Sequence, residues 1–214
     1  MYVPPAFEEK DPAILWTMIS KNPLGLLISL DQGEIIANAV PFEMKEDGQS
    51  IILSTHLAKA NSQWRMLEGQ DVLIVFQGVD AYVSPQWYES KREHGRVVPT
   101  WNYVMAQVRG RATVIHDRDW LRHLVGKLTD HHEKDVAGGT AWRVSDAPAD
   151  YIEGQLKGIV GVEIAVAQIT GKWKVSQNRP AADRQGVAAG LAAQGSDIAV
   201  AMAGLVSGGD GHKN

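Results

Sequence analysis

Between Leu24 and Val40 the chain writes one apolar, strand-length pattern, turns sharply, and writes another. Leu24–Leu30 and Glu34–Val40 flank Asp31-Gln32-Gly33, and so short a connection can only return the chain antiparallel to itself. Parallel neighbours need a crossover of a dozen or more residues. Further strand-like segments follow at Ser50–Ser54, Asp71–Gln77, Ala81–Ser84, Val104–Ile115 and Ile159–Ile169, the last continuing through Gly171-Lys172-Trp173-Lys174. Gly78 separates the second from the third, and Gly110 interrupts the fourth, where a glycine marks a bulge or a close backbone approach. Helical patterns lie apart from these strands. Asp11–Ser20 has a capping Asp and Pro12 at the first helical position, and Asp117–Glu133 spaces Trp120, Leu121, Leu124, Val125 and Leu128 at 3.6 residues. Ala58–Leu67 and Pro148–Leu156 read as shorter helices, and the Ala/Gly-rich stretch from Ala181 has helical anchors at Val187, Leu191, Ile198, Met202 and Leu205. Strands joined by hairpins, with helices interspersed, predict an α+β fold built on an antiparallel sheet or barrel.

Composition narrows the chemistry. The 214 residues contain no cysteine, which excludes disulfides, a thiol nucleophile, an iron–sulfur cluster and a thiolate zinc site. Lys and Arg number 21 against 25 Asp and Glu, a net charge of −4, so the chain is not built to wrap a nucleic acid by charge alone. The longest apolar runs, Leu24–Leu30 and Val160–Ile169, fall well short of the ~20 residues of a spanning helix. Met1-Tyr2-Val3-Pro4-Pro5 has no basic flank leading into an apolar stretch, and cytoplasmic residence without membrane contact is the expectation. His116, His123, His131 and His132 lie on or beside one predicted helix, but His123 and His131 are two turns apart and His-Glu-x-x-His is absent, so no metal is expected. The glycine pairs Gly138-Gly139 and Gly208-Gly209 read as loop and tail, with fraying expected over Ser207–Asn214.

Three blocks carry side chains suited to a ligand. Leu53–Trp64 runs from a strand toward a predicted helix start and presents Ser54, Thr55, His56, Lys59 and Asn61. It reads either as an anion site, with helix-end N–H groups and an ammonium facing a phosphate, or as an ordinary capped surface helix. Ala81–Lys91 and Val97–Tyr103 concentrate Trp and Tyr beside Pro and Ser. Such rings suit a flat conjugated ligand or a subunit interface, and equally the packing of a loop on the sheet. Gly171–Arg179 alternates cation and aromatic before Ser176, Gln177 and Asn178. It could face a phosphate or a flavin edge, or be a strand end protected by its charges.

Taken in order, these blocks resemble the PaiB-type family of FMN-binding negative transcriptional regulators. The resemblance rests on His56-Leu57-Ala58-Lys59-Ala60-Asn61, Phe76-Gln77-Gly78 with Tyr82-Val83-Ser84-Pro85, Trp87-Tyr88 with Lys91, Val98–Tyr103, and Gly171–Lys174 with Ser176-Gln177-Asn178. It runs from Met1 through Leu191. Where the family often has proline after the Asn of the first block, this chain has Ser62, a change that bears on the helix start. The resemblance implies an antiparallel split β-barrel of the flavin-reductase and pyridoxamine-phosphate-oxidase type with flanking helices. Residues 1–180 would form the FMN-binding domain, with 181–214 as a helical tail packed on it. It also implies a homodimer with FMN at the subunit interface. Thr55, His56, Lys59 and Asn61 would hold the phosphate and ribityl chain, and Asn38, Val40 and Pro41 would lie along the isoalloxazine edge. Trp101, Asn102, Lys172, Lys174, Ser176 and Gln177 would close the site, some of them from the partner subunit. No basic stripe or cationic recognition helix appears in the sequence, so direct DNA binding is doubtful and an indirect regulatory action is expected. The alternatives are a flavin-dependent oxidoreductase acting on a small substrate and, further off, a haem binder.

Overall fold

A computed structural model describes residues 1–47, 50–136 and 141–208; the Gly138-Gly139 pair and the tail from 209 lie outside them. In chain order the elements are β1 (Glu8–Glu9), α1 (Pro12–Lys21), β2 (Leu24–Asp31), β3 (Glu34–Pro41), β4 (Glu43–Asp47), β5 (Ser50–Ala58), β6 (Asp71–Val83), α2 (Ser90–His94), β7 (Thr100–Ile115), α3 (Arg118–Val136), α4 (Ala149–Lys157), β8 (Ile159–Lys174), α5 (Ala181–Ala192) and α6 (Asp197–Ser207). The strands follow the order β3-β2-β6-β7-β8-β5-β4, with β1 added on β8. Antiparallel pairing with flanking helices is the expected fold class. No helix among the described residues is long and apolar enough to cross a membrane.

The chain divides into two compact units. One contains Ser20–Phe76 and Gln107–Ile169; the other contains Met1–Ile19, Gln77–Ala106 and the chain from Thr170 onward.

In the first unit the β2–β3 hairpin closes at Asp31↔Glu34, leaving a two-residue Gln32-Gly33 turn. Both turn residues have positive φ, 50° and 90°, the type I′ geometry whose twist matches that of paired strands. Leu53, Thr55 and Leu57 of β5 lie opposite Ile164, Val162 and Val160 of β8, and all six are buried. The other face of this pair places His56 opposite Gly161 and Ser54 opposite Glu163. There α3 lays Trp120 over Gly161, where an added Cβ would come within 2.2 Å of the ring. The indole Nε1–H donates to Glu163 Oε1 at 3.1 Å. Leu121 joins Ile152 and Leu156 of α4 in a second apolar cluster.

In the second unit Leu15 of α1 packs where Gly171 of β8 has no side chain. Helices α5 and α6 pack on each other. Trp87, in the one-turn 3₁₀ helix Pro85–Trp87, fits a socket made by two glycines of α5. A Cβ on Gly186 would lie 1.9 Å from the Trp87 carbonyl oxygen, and one on Gly190 would lie 2.4 Å from the indole.

Two expectations need correction. Ala58–Leu67 is not an α-helix: β5 continues to Ala58, paired with Ile159, and only a 3₁₀ turn forms at Ser62–Met66. The reason is tertiary. Gln63 is drawn into the core, and strand pairing holds Ala58, with the Lys59 N–H bonded to the Gly158 carbonyl. Gly78 does not break β6, and a Cβ added there would meet Val104 at 3.4 Å, an ordinary contact. The strand from Ile159 continues through Gly171–Lys174 as expected.

Candidate functional site

The thirteen residues expected at the ligand fall into two groups, one per unit. Asn38, Val40, Pro41, Thr55, His56, Lys59 and Asn61 belong to the first unit; Trp101, Asn102, Lys172, Lys174, Ser176 and Gln177 belong to the second.

The first group is organised by the hairpin. A two-residue turn makes Asp31 and Glu34 a hydrogen-bonded pair, so Glu34, Ile36, Asn38 and Val40 direct their backbone N–H and C=O groups at β2. Ile35, Ala37 and Ala39 therefore direct theirs at the outer edge, and among the described residues β3 pairs with β2 alone. Near one end that edge is closed by Thr55, whose hydroxyl donates to the Pro41 carbonyl at 2.6 Å. Ala37 and Ala39 remain exposed. The side chains of Asn38 and Val40 turn the other way. Val40 is buried, and Asn38 Nδ2 donates to Gln63 Oε1 at 2.9 Å. Gln63 is itself 1% exposed and donates from Nε2 to the Leu27 carbonyl and Ser29 Oγ. Asn38 thus helps to fix β3, and the backbone groups of Ala37 and Ala39 face its unpaired edge. Sequence reasoning missed both alanines, since nothing in an alanine side chain advertises a free amide. The register that the turn imposes was the signal that could have found them.

Thr55, His56, Lys59 and Asn61 lie at the end of β5 and in the turn after it. The predicted helix N-terminus is absent, and Asn61 caps the 3₁₀ turn by accepting from Gln63 N–H at 3.0 Å. Lys59 is anchored through its amide to the Gly158 carbonyl at 2.8 Å. Its ammonium makes one hydrogen bond, to the Lys157 carbonyl at 2.8 Å, and is exposed. Two further donors on that ammonium point to solvent. His56 is half-buried, and its Nδ1 has no hydrogen-bond partner. Burial lowers its pKa, so the imidazole stays neutral further into the acid range.

The second group is cationic and aromatic. Lys172 and Lys174 share one face of β8, with ammonium groups 5.2 and 6.0 Å from the centre of the Tyr103 ring. Lys174 donates to Thr100 Oγ1 and the Trp101 carbonyl. Burial lowers its pKa, helped by the positive charges of Lys172 and Arg179. No ion pair joins these three cations to a carboxylate among the described residues. Arg179, which sequence reasoning left out, stacks over Tyr88 at 4.8 Å. Asn102 and Ser176 are buried and hydrogen-bonded to each other at 2.9 Å. Ser176 is held at φ 65°, a left-handed conformation that costs a non-glycine residue of order 1 kcal/mol or more and is found where a site dictates it. Gln177 turns back on its own loop, accepting from Val175 N–H and donating to the Trp173 carbonyl.

The aromatic blocks divide. Tyr88 and Trp87 are packing residues, whereas Tyr82 and Trp101 are 45% and 55% exposed and meet edge-to-face at 5.9 Å. The donor set fits a flavin mononucleotide. An open strand edge would offer alternating N–H and C=O groups to a pyrimidine ring, and Lys59 would offer an ammonium to a phosphate. The neutral His56 adds a nitrogen awaiting a partner.

Comparison with known proteins agrees. The sequence model of a family described as "Putative FMN-binding domain" matches residues 1–168. The Bacillus subtilis "Protease synthase and sporulation protein PAI 2" is 33% identical, with the alignment covering 87% of each chain. An uncharacterized protein of Emericella nidulans is 31% identical over 96% of each chain. Among solved structures, the FAD and heme binding protein of Mycobacterium smegmatis has a TM-score of 0.56 at 18% identity, covering 78% of this chain and 73% of that one. At that identity the likeness is one of fold, and the fold is the split barrel. Through the match over residues 1–168 and the identity to PAI 2, the chain belongs to the PaiB-type family of FMN-binding regulators.

Proposed function

We propose that this chain binds FMN as a homodimer, with the cofactor at the subunit interface, and regulates transcription indirectly from the cytoplasm. The observation that carries the FMN reading is the open edge of β3, whose exposed Ala37 and Ala39 stand on the strand that Thr55 closes at Pro41. Bound flavin would supply the redox chemistry that a chain without cysteine lacks. The protein's part is to hold and orient. Lys59, Thr55, His56 and Asn61 would receive the phosphate and ribityl chain. Asn38, Val40 and Pro41 would lie along the isoalloxazine edge, while Trp101, Asn102, Lys172, Lys174, Ser176 and Gln177 would close the site, some of them from the partner subunit.

Indirect action is supported by the charge pattern of α3, the longest helix described. Arg118 pairs with Glu153 of α4 at 2.9 Å, and Arg122 bonds to the same carboxylate. Those cations are committed within the fold and offer little to DNA phosphates.

The test is a flavin fluorescence titration followed by DNA binding and turnover assays. Wild-type protein should quench FMN saturably. Lys59→Ala should raise Kd about tenfold, the usual size of a charge-assisted contact to phosphate. Unchanged affinity would remove Lys59 from the site, and absence of binding by the wild type would remove the FMN reading. Tight, sequence-specific DNA binding in physiological salt would overturn indirect action. Steady oxidation of reduced nicotinamide cofactor by the flavin-loaded protein would make it an oxidoreductase.

A further inference from the structure

The second unit carries rings and cations on one face of its strands. Burial alternates at the start of β7, with Asn102 and Val104 inside and Trp101 and Tyr103 on the outer side. Tyr82 of β6 meets Trp101 edge-to-face at 5.9 Å, and both are about half exposed. An edge-to-face pair leaves a corner in which a flat molecule can lie on one ring with its rim against the other. Two ammonium groups reach this face from β8. Lys174 donates to the Trp101 carbonyl. Lys172 stands 5.2 and 5.8 Å from the ring centres of Tyr103 and Tyr2, and its one hydrogen bond goes to the Tyr2 carbonyl at 3.2 Å. Two carboxylates stand near without neutralising them. Glu8 is the cross-strand partner of Lys172 but forms its ion pair with Lys10 at 3.1 Å. Asp80, two residues before Tyr82, accepts from Gln77 Nε2 at 2.9 Å. Positive charge beside exposed aromatic area is thus left unbalanced, and an anion settling there would relieve the repulsion among Lys172, Lys174 and Arg179.

We propose that this corner holds a second ligand, a planar aromatic acid, with its ring against Trp101 and Tyr82 and its carboxylate on Lys172 and Lys174. The inference rests on the flavin reading above only in taking these residues to close that site, and it names the class of molecule the site admits besides the flavin. The two halves of the ligand are selected separately. Alternate residues of a strand are ~7 Å apart, so the two lysines can bring their ammonium groups to one carboxylate, and Trp101 with Tyr103 spans one or two fused rings. An aliphatic acid would meet the charges and leave the rings in water. A neutral aromatic would cover the rings and leave both ammonium groups without an anion. Only a molecule that is both flat and anionic answers the whole face.

The experiment is equilibrium dialysis of the full chain against naphthalene-2-carboxylate, with and without saturating FMN, on wild type, Lys172→Gln and Trp101→Ala. The wild type should bind the acid with a Kd of about 100 μM or below. It should bind naphthalene-2-carboxamide at least about tenfold more weakly, since the amide brings no charge to the lysines. Lys172→Gln should weaken the acid about tenfold and Trp101→Ala about fivefold, with native far-ultraviolet circular dichroism in both. Equal affinity for acid and amide, or for wild type and variants, overturns the assignment. Release of the acid on adding FMN overturns the second ligand, because the rings then serve the flavin itself. FMN binding without binding of the acid overturns this proposal and leaves the flavin reading standing. Binding of the acid without FMN binding keeps the acid site and removes the flavin reading, and binding of neither removes both. Should Trp101→Ala not fold, Lys172→Gln and the acid–amide pair decide.

Discussion

His56 shows how one side chain ties the site to stability. Its folded pKa lies below the ordinary value of 6.5 because burial penalises the imidazolium. The unfolded chain therefore takes up a proton first as the pH falls. Stability is full above about pH 6.5 and declines below it, until the folded state also protonates. Thermal melts from pH 7.5 to 5 should fall more steeply for the wild type than for His56→Phe, which cannot titrate. Parallel curves would mean that His56 is solvated. Gln63 is the structural counterpart. Its amide satisfies Leu27, Ser29 and Asn38 at once, so Gln63→Ala should cost about 2–4 kcal/mol by leaving buried polar groups unpaired, measured by denaturant unfolding. The sequence made Lys59 and His56 visible as chemistry, because charge and imidazole declare themselves. It hid Gln63, whose role depends on three partners 25 to 36 residues away.

At the level of elements, one substitution has opposite expected signs. Gly186→Ala places a methyl 1.9 Å from the Trp87 carbonyl. It should destabilise by about 2–4 kcal/mol, because backbone cannot yield as a flexible side chain can. Gly126→Ala in α3 meets nothing within 4 Å and should stabilise by about 0.5–1 kcal/mol, through helix propensity and a less flexible unfolded chain. Denaturant midpoints of the two variants measure both. A similar gain of a few tenths of a kcal/mol is expected from Gln32→Asn, since asparagine tolerates the positive φ of this type I′ turn better than glutamine does. The hairpin, the antiparallel sheet and α3 were legible because each has a local signature in period or turn length. The false helix at Ala58–Leu67 had a helical look too, but β8 pairs with its first residue, Ala58, and the core draws in Gln63. The continuity of β6 through Gly78 was hidden for a related reason. A glycine that interrupts a pattern and one that admits a neighbour's side chain look alike until the neighbour is known.

For the molecule as a whole, the excess of four acidic charges and the capture of Arg118 and Arg122 by Glu153 point the same way. In a gel-shift series at 50 and 200 mM salt, any binding to nonspecific DNA should be weak and lost at the higher salt. The two units also differ in how the chain supplies them. The hairpin unit is complete once Ile169 has been made, whereas the other draws on the first nineteen residues, a middle stretch and the chain from Thr170 onward. Trp87 has no socket until Gly186 and Gly190 exist. During synthesis, Trp87 must therefore wait about a hundred residues for its partner, some five to twenty seconds at ordinary ribosomal rates. In the last part of that interval, after Ile169, the nascent chain carries one finished sheet unit and one exposed indole. A premature stop anywhere after Ile169 and before α5 would release a chain fixed in that half-built state, ready substrate for a chaperone or a protease.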